Sequence, residues 1–165
     1  MMIKKNDFFV RESQVCNYIG IVESGSLFSF FEDEHANTIV SELYSTHSII
    51  TSYRSFLTGI PSPAHIQAYS PSSLYVIEKK EYEKLASDIK WMHVFKSIAD
   101  QLFVNKCFKE TSLVKLKAKE RYEELIKYRK NIEQEFPQHL IASYLKMRPE
   151  TLSRLKSLDL RQGEV

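Results

Sequence analysis

Up to about Ile77, apolar positions fall in short runs with a period near two. The stretch DFFVRESQVCNYIGIVESGSLFSFFE, from Asp7 to Glu32, reads as strands separated by turns. Within it, YIGIVESGSLFSFF predicts a hairpin cornered at Glu23-Ser24-Gly25, where glycine supplies a positive φ. NTIVSELYSTHSIIT adds strand material, and HIQAYSPSSLYVIE predicts two strands around Ser70-Pro71-Ser72. Short strands at this spacing imply a β-sandwich or barrel. After Glu78 the period lengthens. KKEYEKLASDI predicts a short amphipathic helix. From about 90 to 110, Trp91, Phe95, Ile98 and Leu102 recur at three- and four-residue steps, the stripe of a long helix. A third helix is expected over 112–130, and two more in QHLIASYLKMRPETLSRLKSL, around a gap at 146–149. The class is therefore α+β. A β-rich domain spans 1–86, a long joining helix 87–110 and a compact helical module 111–165.

Charge sharpens this division. Residues 1–86 carry seven Lys and Arg against ten Asp and Glu, a net −3; residues 87–165 carry 16 against 11, a net +5. A basic second half suits a polyanionic partner, and equally a solvated helical surface. With 43% hydrophobic and 12% aromatic residues the chain can build a core, which excludes long disordered stretches. Cys16 and Cys107 lie far apart, outside any metal-ligand spacing, and are expected to be reduced, buried thiols. The N-terminus has no apolar run before Asp7 that would make a signal peptide. The uncharged stretch 55–77 is broken by Pro61, Pro63 and Pro71, so it is not a membrane helix. A cytoplasmic protein with no membrane partner is expected.

The last helix pair carries the most chemistry. Pro137 can open a helix, since the missing N–H of a first-turn proline is no loss. Ile141, Ala142 and Leu145 then share a face, and small Ala142 permits close approach of a second helix. Pro149 restarts the chain as a helix and drives Arg148 out of the α region. Leu152 and Leu155 point inward, so Glu150, Thr151, Ser153 and Arg154 point outward. In a helix-turn-helix that outward face enters the major groove. There arginine can bind guanine O6 and N7, and glutamate can accept from cytosine N4. Ser, Thr and Lys suit phosphates. The plain reading of the same spacing is a helical hairpin, with Glu150 and Arg154 pairing on its surface for about 0.2–0.5 kcal/mol.

These strings resemble the Crp/Fnr family of transcriptional regulators. The likeness rests on Arg121-Tyr122, Phe136-Pro137-Gln138, the run IASYL at 141–145 and PETLSR at 149–154, and more loosely on the β-rich half. It covers nearly the whole chain. It implies an N-terminal β-roll of the jelly-roll, cyclic-nucleotide-binding type, a long dimerisation helix, and a C-terminal winged-helix-like helix-turn-helix. It also implies a bacterial homodimer on a two-fold double-stranded DNA operator. By that likeness Glu150 and Arg154 read bases, and Thr151, Ser153 and Lys156 are neighbouring or phosphate contacts. Two positions depart from the family pattern: Lys146 stands where glycine is typical, and Arg148 where a Thr or Ser cap is frequent. A lost cap costs about 1 kcal/mol. Both residues add positive charge beside the expected DNA backbone. Little chain remains for a full wing after the last helix, and the start is short by a helix and a strand.

In nucleotide-binding members a carboxylate takes the ribose and an arginine the cyclic phosphate. Laid on this chain, the cassette's glycine falls on Ser52, its glutamate on Tyr53 and its arginine on Ser62. None can do the corresponding work, and burying the anion unpaired would cost several kcal/mol. Arg54 is near, but strand alternation would turn it to the other face. Ser52, Tyr53, Arg54, Ser55 and Ser62 thus line a pocket expected to reject cyclic AMP. It either holds an unidentified, less charged effector or is filled by Tyr53 and Phe56. Two distant cysteines cannot hold an iron–sulfur cluster. His35, His47, His65, His93 and His139 show no ligand spacing, so haem and metals are not expected.

Two other readings follow from the same residues. A cupin-type β-roll enzyme would need converging histidines and a carboxylate, and only the widely spaced His35, His47 and His65 lie in the β-rich half. Neither a phosphate loop nor a nucleophile motif is present, so no catalytic residue is assigned. A β-roll dimer that keeps the fold but has lost DNA binding would serve as a protein-interaction module.

Overall fold

In the computed structural model, which describes residues 1–162, eight strands form two four-stranded antiparallel sheets. They are β1 (Met2–Ile3), β2 (Phe8–Val10), β3 (Tyr18–Ser24), β4 (Leu27–Glu32), β5 (Thr38–Tyr44), β6 (Ile49–Ile50), β7 (His65–Ala68) and β8 (Ser72–Glu78). One sheet has the order β1-β8-β3-β6, the other β2-β7-β4-β5. Between them pack Val10, Cys16, Val22, Leu27, Ile50, Ile66 and Leu74.

The expected hairpin at 23–25 is not one. β3 pairs with β8 and β6, whereas β4 pairs with β5 and β7. At Gly25 the chain crosses from one sheet to the other, so that Val22 and Leu27 face the same interior from opposite walls. The positive φ was rightly placed: Gly25 has φ +88, and a Cβ there would lie 2.4 Å from the Pro71 carbonyl. That carbonyl belongs to the second crossing, between β7 and β8. Ser26 and Ser70 hold the two corners together, their hydroxyls 2.9 Å apart.

Why β4 is apolar at nearly every position becomes clear from what covers it. Leu27 faces the roll interior, while Phe28 and Phe30 face outward into a second cluster with the C-terminal helices. A bulge between Ser29 and Phe30 shifts the register by one on β5. Val40 and Leu43, three apart, can then share the outer face, while Tyr44 turns inward. Both faces of this sheet are covered, hence the near-continuous apolar run.

Seven helices complete the described residues: α1 (Tyr53–Thr58), α2 (Lys79–Leu85), α3 (Ile89–Lys115), α4 (Ala118–Tyr128), α5 (Ile132–Glu135), α6 (Gln138–Tyr144) and α7 (Pro149–Gln162). Strand alternation therefore does not govern Arg54, because residues 53–58 form α1, which Gly59 ends with φ +72. The long helix expected over 87–110 runs instead from Ile89 to Lys115, opened by Asp88, whose carboxylate accepts from Lys90 N at 2.7 Å. The single helix expected over 112–130 is divided. Residues 112–115 finish α3, the backbone extends at Leu116, and α4 begins at Ala118. The new helix is opened locally, Lys117 N donating to the Glu120 carboxylate at 2.7 Å, and the Arg121 guanidinium holds the break by donating to the Leu116 carbonyl at 2.8 Å and the Leu145 carbonyl at 3.0 Å. Among the described residues no helix is long and apolar enough to cross a membrane.

Of the stripe Trp91, Phe95, Ile98 and Leu102, expected to meet either a second copy or the β-roll, Phe95 packs within the protomer. Phe95 is buried, stacked on Tyr82 of α2 with ring centroids 4.1 Å apart and flanked by Trp91 at 5.7 Å. Ile98 and Leu102 are half-buried on the same side. Other apolar side chains of α3 are left open: Phe103 is 68% exposed and Val114 81%, eleven residues apart and so on one side, while Phe108, on a different side, is 73% exposed. Cys107 is also exposed, contrary to the expectation that both thiols are buried; Cys16 is buried.

Candidate nucleic-acid interface

α6 and α7 form the expected pair. Leu140, Ile141, Ala142 and Leu145 bury one side of α6 and its end, and Leu152 of α7 is fully buried in the same cluster. Tyr122 and Leu125 from α4 and Ile132 from α5 close it from behind, and Phe28, Phe30, Val40 and Leu43 form its floor.

The turn between the helices is a complete Schellman ending. Lys146 N donates to the Ser143 carbonyl at 3.1 Å and Met147 N to the Ala142 carbonyl at 3.0 Å. Lys146 adopts the left-handed conformation, φ +55, that glycine ordinarily takes there. Its Nζ donates to the Val40 carbonyl of β5 at 2.7 Å. Burial, with neighbouring Lys109 second, holds its pKa below the usual lysine value. Arg148 is exposed, and its carbonyl accepts the first hydrogen bonds of α7, from Thr151 and Leu152.

Of the outward residues expected on α7, Glu150, Ser153 and Arg154 are exposed and Thr151 is half-buried. Glu150 and Arg154 form no ion pair with each other among the described residues. They line one open groove with Ser153, Pro149, Gln138 and His139. Gln138 Nε2 donates to the Pro149 carbonyl at 3.2 Å, fixing where α7 begins relative to α6. Gln138 and His139 were not expected as members of this surface. Their place at the start of α6 was legible, but not that α7 would cross beside it. Lys156 turns back into its own module: its Nζ lies 2.7 Å from Glu133 of α5, whose carboxylate also accepts from the Tyr122 hydroxyl at 3.0 Å.

The expected pocket residues of the β-roll are brought together only in part. Ser52 and Ser62 meet, their hydroxyls 2.9 Å apart, and Ser62 Oγ also lies 2.7 Å from the Ala64 carbonyl. Ser55 is fully buried, its hydroxyl accepting from Cys16 N at 2.9 Å. Phe56, also fully buried, packs edge-on against Tyr82 at 5.1 Å. Tyr53 is partly buried, which pushes its phenol up from the ordinary range. Arg54 is exposed. Ser52 and Ser62 satisfy each other and supply neither the carboxylate nor the cation that a cyclic nucleotide needs, so these residues do not fit that ligand. His65 lies between the rings of Phe8 and Phe30 at 5.5 and 5.0 Å, and its Nδ1 accepts from Glu12 N. No group of His, Cys, Asp or Glu among the described residues is placed to hold a metal ion.

No protein-family model and no curated protein matches the chain by sequence. Solved structures do match its fold. FixK2 from Bradyrhizobium japonicum superposes with a TM-score of 0.82 at 16% identity, over 99% of this chain and 84% of that one. A transcriptional regulator of the crp/fnr family from Eubacterium rectale gives 0.71 at 16%, over 99% and 78%. TTHB099 from Thermus thermophilus, a CRP-family transcriptional regulator, gives 0.69 at 14%, over 99% and 85%. The β-roll, long helix and helix-turn-helix of this chain thus have the architecture of Crp/Fnr regulators.

Proposed function

We propose that this chain, built on the Crp/Fnr fold, is a sequence-specific DNA-binding transcriptional regulator, not an enzyme, and that it acts in the cytoplasm as a homodimer. One observation carries the reading. α7 has two unlike sides, with Leu152 fully buried in the core and Glu150, Ser153 and Arg154 exposed along an open groove. Arg154 reads guanine, Glu150 accepts from cytosine, and Ser153, Thr151 and Arg148 contact the flanking backbone. The open side of α3 that carries Phe103 and Val114 supplies the seam for a second copy. Two-fold symmetry then sets the reading helices about 34–36 Å apart. The β-roll does not answer to cyclic AMP, because Ser62 stands where the phosphate would need a cation.

Selection from a random duplex pool tests this. The expected outcome is an enriched two-fold site whose affinity falls steeply with salt as counterions are released. Failure to enrich any sequence at low salt removes the reading. A second reading, a protein-interaction module, draws on one feature: Lys146 and Lys156, both expected on DNA, have ammonium groups held by Val40 and Glu133. Retention of a dimer without duplex binding would favour it.

A further inference from the structure

We propose that Lys146 is a positioning residue that latches the helix-turn-helix onto the β-roll in one orientation. The proposal rests on the DNA-binding reading and concerns how its reading helix is held. β5 is the outer strand of its sheet and pairs only with β4, so its far edge carries backbone groups without a strand partner. Side chains from the helical half take them up. Ser143 Oγ accepts from Val40 N at 2.9 Å and lies 3.1 Å from the Thr38 carbonyl. Lys146 Nζ caps the Val40 carbonyl at 2.7 Å, Arg129 caps the Leu43 carbonyl at 3.0 Å, and Lys109 caps the Ser41 carbonyl.

Lys146 is the member of this set that the local backbone does not explain. Its position ends α6 in a left-handed turn, φ +55, where a side chain is disfavoured and glycine is free of strain. Its ammonium is also brought toward that of Lys109, which helps push its pKa down. Lys109 itself is balanced by Glu42 at 3.5 Å and by the Tyr144 ring at 4.0 Å. What Lys146 gains from this placement is the Val40 carbonyl, on the other domain. Only Met147 and Arg148 separate it from Pro149, so fixing Lys146 to β5 fixes the start of α7.

Amide hydrogen exchange on the full chain, without DNA, tests the latch with K146G and K146M. Both variants remove the ammonium, and K146G also relieves the turn. The Val40 amide, bonded to Ser143 Oγ, reports opening of the α6–β5 contact, and without the ammonium it should exchange about tenfold faster in both variants. Amides paired between β3 and β8 should keep their rates. A Val40 rate unchanged in both variants overturns the latch. So does slower exchange throughout K146G, because Lys146 would then matter only as a strained turn residue. Since no DNA is present, a chain that binds no duplex can still show the latch, and a duplex binder can lack it.

Discussion

The hydroxyl of Ser143 on α6 lies 2.9 Å from the backbone nitrogen of Val40 on β5, 103 residues away in sequence. Around this contact Phe28, Phe30, Val40 and Leu43 of the sheet share one cluster with Tyr122, Leu125, Ile141 and Leu152 of the helices. The helix-turn-helix has no core of its own apart from the sheet beneath it. Motion of the reading helix relative to the β-roll must therefore expose apolar surface on both sides of the contact.

Ser143→Ala leaves the Val40 amide without its partner in a partly buried setting. Stability should fall by about 1–3 kcal/mol. Because the core is shared, urea unfolding followed by Trp91 fluorescence and by far-UV circular dichroism should still give one coincident transition. Two separated transitions in the wild-type chain would contradict the shared core.

On α7, substitutions on opposite sides should separate fold from recognition. Leu152→Ala removes a fully buried side chain and should cost about 2–5 kcal/mol. Arg154→Ala, on the exposed side, should change stability by less than about 0.5 kcal/mol. It should instead relax discrimination at one base pair by about 1–3 kcal/mol. Anisotropy titrations against single-base variants of the selected duplex measure this. A uniform loss across all sequences would place Arg154 on phosphate.

How much of this could be read beforehand depends on whether the deciding contact is local. The strands, the long helix and the inward leucines of α7 follow from periodicity, and they were legible. The pairing of β3 with β8 was not, because a short turn at Gly25 is compatible with a hairpin and with a crossing between sheets alike. The helix at 53–58 is not legible, because its Ser, Thr, Tyr and Phe fit a strand as well; the stop at Gly59 is its one local sign. Phe95 and Phe103 both lie on apolar stripes of α3, and spacing cannot say which of them the protomer covers with Tyr82. Charge places Lys146 beside DNA, and the family likeness places Lys156 there. Their partners Val40 and Glu133 come from elements distant in the chain, and only the folded arrangement reveals them.

Cyclic AMP at millimolar concentration should produce no shift in Tm and no heat on titration. A ligand binding only the folded state at 100 times its Kd would stabilise by about 2.7 kcal/mol, which is easily detected. A clear shift would mean that the serine pair at 52 and 62 opens to admit an anion.

Alkaline pH should unfold the protein through its buried phenols. Burial first, and the Glu42 carboxylate second, hold both Tyr44 and Tyr144 well above the ordinary tyrosine range. In the unfolded chain they ionise near about pH 10. Their contribution to stability is thus fully present below that pH and is lost as pH rises beyond it. Lys109 works in the opposite sense, since burial lowers its pKa and the unfolded state binds the extra proton. The two phenols are expected to decide the outcome. Absorbance titration should show both ionising only as circular dichroism reports unfolding. Their free titration in the folded chain would refute this account.

The seam of the dimer can be located by charge. Phe103 and Val114 are largely exposed on one side of α3, whereas Phe95 is buried against Tyr82. If the open side meets a second copy, Phe103→Glu buries an unpaired carboxylate in the interface and should give a monomer with unchanged circular dichroism. The same variant should lose most duplex affinity, because one copy alone reaches only half of a two-fold site. Phe95→Ala should behave differently, lowering protomer stability by about 3–5 kcal/mol. Sedimentation at micromolar concentration distinguishes these outcomes. A dimer that survives both Phe103→Glu and Val114→Glu must be held by another surface, and α3 would then have to be removed from the account of how two reading helices are spaced.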